Sequence, residues 1–289
     1  MYRFISGNAG AWPVHTLCAV LQVSRSAYYG WLSKGEAPDK REQETEIAVT
    51  QAFQEHRRRY GVRRLVVELK AQGVEVGAYK VRQVLSKYGL KAIQPRSFVP
   101  RTTDSRHPYP ISPNLLLELA FPTGPNQVWV GDITYIPLAG GGFLYLAVWM
   151  DLYSRWMVGW QLEEHMQEEL VIEALRRALA TRAIPSGMIV HSDRGGQYAG
   201  KTFRGLLGNK KALQSMSRAD NPYDNAFIES CFSRFKAELL EDGTFENKQD
   251  ARTEIFEYIE MYYNTKRRHS ALNYLSPANF EINYYIYHN

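Results

Sequence analysis

Apolar positions recur at two different periods along this chain, and the change of period divides it. Over residues 12–34, Val14, Leu17, Cys18 and Leu21 fall at helical spacing. Gln22-Val23-Ser24 reads as a turn with Ser24 capping the next helix, and Ala27, Tyr28 and Trp31 supply that helix's stripe. A linker, GEAPD at 35–39, separates this helix-turn-helix outline from a second helical stretch at 40–90. There Ile47, Phe53, Leu65, Leu69, Val81 and Leu85 are the expected core, punctuated by Gly61 and Gly73. From Gln127 the period becomes two. In VWVGDITYIP (128–137), Val130, Asp132, Thr134 and Ile136 share one face, and Trp129, Ile133 and Tyr135 share the other. AGGG at 139–142 predicts a hairpin turn, followed by strands at 143–151 and 156–162. An amphipathic helix at 168–182 turns Leu170, Ile172, Leu175 and Leu179 inward. The short apolar run 188–190 is what a buried parallel strand looks like. Hairpin, third strand, helix and parallel strand together predict an α/β layer on a mixed sheet.

Between the two regimes, residues 95–125 hold seven of the thirteen prolines, which prevents continuous helix or central strand and predicts an extended linker. It begins basic, at Arg96, Arg101 and Arg106. The net charge of the 289 residues is only +5, but residues 40–108 carry 15 Lys/Arg against 7 Asp/Glu, which is +8 and leaves −3 for the remainder. A basic segment beside a slightly acidic body suits a nucleic-acid-binding arm; the alternative is a solvated charged surface. Arg57, Arg58, Arg59, Arg63 and Arg64 in HRRRYGVRR (56–64) are suited to neutralising DNA phosphates, and 79–82, with Lys80 and Arg82, to opening a recognition helix. Two cysteines, Cys18 and Cys231, are too few for a disulfide framework or a multi-cysteine zinc site and favour a reducing compartment. No apolar run approaches the roughly 20 residues of a membrane helix, and residues 1–10 lack the pattern of a secretory leader.

Three acids stand out by position. Asp132 interrupts an apolar strand, which is costly unless something compensates it. Asp193 follows the strand at 188–190, at the carboxyl end where α/β sites gather, with Gly195 and Gly196 available for a sharp turn. Glu229 lies on a helix expected over 223–240, with Asn221 and Pro222 as its start signals. That helix buries Ile228, Cys231, Phe232, Phe235 and Leu239, and Asn225, Glu229, Ser233 and Lys236 line the edge of this stripe. Taken singly, each acid is more simply a hydrogen-bonding, turn-forming or solvated residue. Three carboxylates converging on one place repel each other, and Mg²⁺, preferring hard oxygens, relieves that repulsion. Two such ions roughly 3.5–4 Å apart support in-line phosphoryl displacement without a protein nucleophile.

The ordered set of motifs resembles the transposases of the bacterial insertion-sequence-three family, specifically their second-reading-frame product, within the retroviral-integrase-like group. The resemblance covers nearly the whole chain. It is carried by VSRSAYYGWL (23–32), residues 56–90, WVGDITY (129–135), HSDRGGQY (191–198), NPYDNAFIESCFSRFK (221–236) and YYNTKRRHSALNYLSP (262–277). The 35 residues between Asp193 and Glu229 match the spacing of the group's D-D-35-E pattern. The resemblance implies a ribonuclease-H-like core with a mixed five-stranded sheet, preceded by small all-α helix-turn-helix modules and followed by a helical C-terminal segment. The expected division is 1–38, 40–94, a linker at 95–125, a catalytic core at 126–242 and a basic C-terminal segment at 243–289. It implies Asp132, Asp193 and Glu229 as catalytic, metal-binding acids for two Mg²⁺ ions, with Mn²⁺ an alternative, and Lys236 near the DNA end. Asp224 and Asn225 match a family-typical pair before the glutamate, to which local structure or phosphate contact is assigned; Asp220 departs from a glycine common in the family. Lys266, Arg267 and Arg268, with His269, form a basic patch beside aromatic residues, suited to phosphate and base stacking and also to a helix C-terminus.

The expected function is therefore metal-dependent DNA end cleavage and strand transfer in transposition. The partners are double-stranded DNA (terminal repeats and target), at least one further copy of the chain on that DNA, and an upstream-frame product or fusion. The expected location is the bacterial cytoplasm, at the nucleoid. Alternatives are a nuclease of the same fold that only hydrolyses, and a non-catalytic DNA-binding regulator of transposition. A tyrosine recombinase is disfavoured, since no Arg and His constellation surrounds a tyrosine. Retroviral-type zinc binding at the N-terminus lacks ligand spacing.

Overall fold

The computed structural model describes residues 1–33, 40–94, 108–117, 119–218, 226–240 and 243–288. The expected linker at 35–39, the start of the Pro-rich segment with Arg96, and Asn221 through Asn225 lie outside them. Two compact units form, one from residues 1–57 and 65–90, the other from 58–64 and 91–289.

The first unit is helical: α1 (Tyr2–Asn8), α2 (Val14–Val20), α3 (Arg25–Ser33), α4 (Lys40–Glu55), most of α5 (Val62–Ala71), and α6 (Ala78–Lys87). Ser24 Oγ accepts from Ala27 N at 3.3 Å, the expected cap. Helix α1 falls where the apolar pattern predicts no element; its Ile5 is buried against Cys18 and Tyr28. In α4 the inward face is Val49, Ala52 and Phe53, and Ile47 is 55% exposed, contrary to expectation. Glu46 takes a buried position instead, held by Lys87 Nζ at 2.7 and 2.8 Å and Tyr88 Oη at 2.7 Å.

The second unit is built on β1 (Val128–Pro137), β2 (Phe143–Asp151), β3 (Met157–Glu163), β4 (Ile189–Ser192) and β5 (Leu213–Met216), in the order β3-β2-β1-β4-β5. The first three strands are antiparallel neighbours, while β4 runs parallel to β1 and β5 parallel to β4. Gly141 and Gly142 turn the hairpin at φ +86° and +83°, which glycine alone tolerates readily. Helices α7 (Glu168–Thr181), α8 (Gly196–Ala199), α9 (Lys201–Asn209), α10 (Ala226–Leu240), α11 (Lys248–Phe256) and α12 (Pro277–His288) complete the unit. The alternation in β1 sorts two cores. Trp129 and Ile133 face α7 and α9, with Leu170, Leu175 and Phe203. Val128, Val130 and Ile136 face α10 and α11, with Ile228, Phe232, Phe235 and Ile255. Short β5 and the helices α8 and α9 carry too few periodic positions to be read from the sequence alone.

Two local departures have physical causes. Residues 257–263 wind as a π-helix, with Asn264 N donating to Ile259 O (3.0 Å). The wider turn shifts the phase, so Ile259 and Tyr263 are buried while Phe256, just before it, is 49% exposed. The described part of the Pro-rich segment packs on the sheet's β5 edge: Met216 N donates to Pro113 O, and Leu115 N to Ser215 Oγ at 2.9 Å. Among the described residues no helix is long and apolar enough to cross a membrane.

Candidate active site

Strand β1 supplies the first acid. Its parallel register with β4 pairs Val128 with Ile189 and Val130 with His191, and the same offset carried forward sets Asp132 level with Asp193. Adjacent strands lie about 4.8 Å apart. The paired stretch ends at Val130 and His191, and each aspartate follows its end by two residues, Asp193 just past the end of β4. Asp193 Oδ1 accepts from Gly195 N at 2.9 Å. The turn needs no glycine torsion: Gly195 sits at φ −61°, and neither Gly195 nor Gly196 is left-handed. What the missing side chain of Gly195 leaves is room, because a Cβ there would lie 3.1 Å from Asp193 Oδ1 and 2.8 Å from Gln197 Oε1.

Asp132 shares its face with Val130 and Ile136, the face on which α10 packs. Around α10, Ile228, Phe232 and Phe235 form the buried stripe, and at 100° per residue Glu229 and Lys236 fall together on one edge of it. The charges sense each other. Burial first, and then the Asp193 and Glu229 carboxylates, push the Asp132 carboxyl well above the usual carboxylate range, against the Ile133 N–H that donates to its Oδ1 at 2.8 Å and against Lys236. Burial and then Asp193 raise Glu229 as well. Burial lowers Lys236, opposed by Asp132. These four side chains thus form one electrostatic neighbourhood. Its donors, all hard carboxylate oxygens, have the chemistry a divalent cation such as Mg²⁺ requires. Among the described residues, no three His, Cys, Asp or Glu side chains are arranged to hold an ion between them. The acids are neighbours in charge and not a closed coordination shell.

Two further residues support this site. Gly131, one residue before Asp132, pairs with Trp149 across the hairpin, and a Cβ at 131 would collide with the six-membered ring of Trp149. Trp149 cannot easily yield: it is fully buried, stacked on Phe203 with centroids 5.8 Å apart, and its Nε1 donates to Val171 O at 3.2 Å. A glycine inside an apolar strand signals such an approach. Gly131→Ala is expected to cost about 2 kcal/mol in urea denaturation, the cost of overpacking a filled core, and to quench or shift Trp fluorescence. An unchanged unfolding midpoint would contradict this. His191, fully buried beside Asp193, bonds Ser215 Oγ at 2.8 Å and Ser217 Oγ at 3.2 Å, tying β4 to the chain after β5.

The expected DNA contacts separate into groups. Arg82 and Lys266 are exposed, as are Arg57, Arg58 and Arg63, although Arg58 Nε also donates to Lys91 O at 3.3 Å. Lys80 is ion-paired to Glu42. Arg268, half-buried, donates from Nη1 to Tyr274 O at 3.2 Å. Two residues stand elsewhere than on the basic surface assigned to them. Arg267 is 2% exposed, its guanidinium forked onto Glu238 with Nε–Oε2 at 2.8 Å and Nη2–Oε1 at 2.5 Å. Arg59 lies over the rings of Tyr258 and Tyr262, 4.9 and 4.6 Å from their centroids, and donates to Glu238 O at 3.2 Å. Arg64 Nη1 is 3.9 Å from Glu238 Oε1. The reason is the acid: Glu238 is buried and draws arginines inward. No local sequence signal links it to residues 29 and 179 positions away.

A five-stranded mixed sheet in this order, with acids on β1 and after β4 and a helix laid on β1, defines a ribonuclease-H-like integrase core. The "Integrase core domain" model matches residues 122–222, a second model of the same description matches 210–277, and an "HTH-like domain" model matches 40–98. The chain is 38% identical over 283 residues to "Transposase InsF for insertion sequence IS3A" of Escherichia coli K12, covering 97% of this chain and 98% of that one. It is 40% identical over 272 residues to the "Insertion element IS600 uncharacterized 31 kDa protein" of Shigella sonnei, covering 93% and 98%. The chain belongs to the transposases of the IS3 family. Among solved structures, the simian T-cell lymphotropic virus intasome in complex with PP2A regulatory subunit B56 gamma aligns at TM-score 0.43 and 16% identity, over 74% of this chain and 69% of that one. The HTLV-2 integrase catalytic core domain in complex with magnesium aligns at TM-score 0.38 and 15% identity, over 55% and 98%.

Proposed function

We propose that this transposase cuts DNA at the ends of its insertion sequence and joins the exposed 3′ ends to new DNA, using Asp132, Asp193 and Glu229 as one metal-binding site. The observation that supports the reading is that Asp132 senses Asp193, Glu229 and Lys236, with β1 and β4 parallel neighbours and α10 packed on the face of β1 that carries Asp132. In the first step water attacks the phosphorus at the element's end, the P–O3′ bond breaks, and a 3′-hydroxyl and a 5′-phosphate result. In the second, that hydroxyl attacks a target phosphorus, a new P–O3′ bond forms and the target's own 3′-oxygen leaves. Bound Mg²⁺ supplies activation of the attacking oxygen and charge stabilisation of the leaving one. Asp132 and Asp193, fixed by adjacent strands, would hold the ions. Glu229 would complete the donor set from α10, and Lys236 would meet the phosphate charge. The helical unit, with Arg82 exposed on α6, would bind the terminal repeats, and Asn225 and Arg96 are assigned DNA contacts with it. At least two copies would act together, since two ends must be joined, and an upstream-frame product or fusion would contribute end recognition. Mn²⁺ would substitute for Mg²⁺, and the protein would work at the bacterial nucleoid.

The test is a labelled-oligonucleotide assay carrying the element's terminal repeat, with full-length protein. Cleavage and joined products are expected in Mg²⁺ and Mn²⁺, with none in excess chelator, and Glu229→Gln should lose both while still shifting the oligonucleotide in a gel. Cleavage without joining would favour a hydrolytic nuclease. Specific binding with neither product in any divalent metal would favour a non-catalytic regulator.

A further inference from the structure

Helix α10 carries Glu229 and Lys236 on one edge of its apolar stripe. Measured around the helix from Ile228, Glu229 lies at about +100° and Lys236 at about +80°, whereas Glu238 lies at about −80°, on the opposite edge. That second edge holds a buried carboxylate with several charged and polar partners. Glu238, 6% exposed, accepts from Arg267 Nε and Nη2 at 2.8 and 2.5 Å and from Tyr258 Oη at 2.8 Å, while its main-chain oxygen takes Arg59 Nε at 3.2 Å. Arg267 is itself locked by burial and by His269, its Nη1 3.3 Å from Nε2. Tyr60, fully buried, accepts from Arg268 N at 2.8 Å and donates to Lys266 O at 3.3 Å, fixing the main chain on either side of Arg267.

Apolar contacts from Ile228, Phe232 and Phe235 hold the helix to the sheet but are non-directional. A guanidinium fork on a carboxylate is directional and fixes rotation about the helix axis. The need is quantitative. With a side-chain radius of about 6 Å, a 20° roll of α10 would carry the Glu229 carboxylate about 2 Å, whereas metal–ligand distances tolerate about 0.2 Å. We propose that the Glu238–Arg267 pair, framed by Arg59 and Tyr258, is a positioning device for the active site, setting the roll of α10 so that Glu229 and Lys236 face Asp132 and Asp193. The arginine of the C-terminal basic block and one of the 56–64 run thereby act through the helix and not on DNA. This inference rests on the function proposed above.

A purely structural role and a positioning role separate when both charges are removed together. Replacing a buried ion pair by apolar residues of similar volume is often neutral or stabilising, because neither charge is left unpaired. In the full chain, Glu238→Met/Arg267→Met is expected to melt at or above the wild-type temperature and to keep its KM for terminal-repeat DNA within twofold. Its joining kcat should fall at least tenfold, and the Mg²⁺ concentration for half-maximal rate should rise several-fold. A folded double variant with wild-type kcat and Mg²⁺ dependence overturns the proposal. Should the double variant not fold, Arg267→Lys, which keeps the charge and loses the fork, carries the same expectation and the same contrary result. Hydrogen exchange across residues 226–240 of Arg267→Lys reads the device without any reaction. Faster exchange centred on α10 supports it, and exchange unchanged there overturns it, even if the wild-type chain joins no DNA and the functional reading has failed.

Discussion

Asp132→Asn is expected to abolish end cleavage and joining, by about a thousandfold or more, and to leave the folded chain at least as stable as the wild type. The two halves have one cause. Asp132 sits in an apolar strand with two like charges near it, and burial and those charges already disfavour its ionised form. An asparagine keeps the Oδ1 that accepts from Ile133 N and removes the repulsion, so thermal melting in chelator should be unchanged or raised. The same exchange removes an anionic donor from the proposed site, where charge stabilisation by bound metal is worth several kcal/mol, and each 1.36 kcal/mol is tenfold in rate. Gel-shift affinity for the terminal repeat should not move, because the helical unit is unaltered. A variant that loses activity only by melting early would show Asp132 to be a folding residue.

Gly159→Ala is expected to be the most damaging single methyl in the second unit. A Cβ at 159 would overlap the Ala174 main-chain oxygen and lie 2.8 Å from both the Ala178 nitrogen and its Cβ. Those atoms belong to the hydrogen-bonded body of α7, which cannot step aside as a side-chain tip can. Either α7 lifts off β3 or the strand shifts, and the cost is at the upper end of overpacking, about 3 kcal/mol. Urea denaturation followed by far-ultraviolet circular dichroism measures it. A midpoint within error of wild type would mean that α7 packs less closely on β3 than described.

Much of this architecture is legible in the chain because its signals are local. The strict alternation of 128–137 sorted Val130 and Ile136 from Trp129 and Ile133, and the two cores divide them the same way. The stripe Ile228, Phe232 and Phe235 placed Glu229 and Lys236 on its edge. What was not legible depends on partners far along the sequence. That the strand of Asp132 and the strand leading to Asp193 are parallel neighbours follows from the sheet order, which no spacing in one sequence reveals. The inward turn of Arg267 and Arg59 follows from a buried glutamate. From sequence, the block at 266–268 and the run at 56–64 look like any basic surface, since charge says nothing about which arginine finds a carboxylate in the interior. Ile47 shows the converse: helical spacing puts this apolar residue in the core, yet Glu46 beside it takes the buried place by gathering Lys87 and Tyr88.

The central claim is that the strand acids and the α10 glutamate act as a single metal site. The most direct measurement is an anomalous-difference map, at a wavelength selective for manganese, from crystals of the full chain bound to terminal-repeat DNA and soaked in Mn²⁺. Manganese density is expected between Asp132 and Asp193, with Glu229 and a DNA phosphate oxygen completing the coordination, and it should be lost in Asp193→Asn. Manganese bound only elsewhere, in crystals whose protein still joins DNA ends, would contradict it.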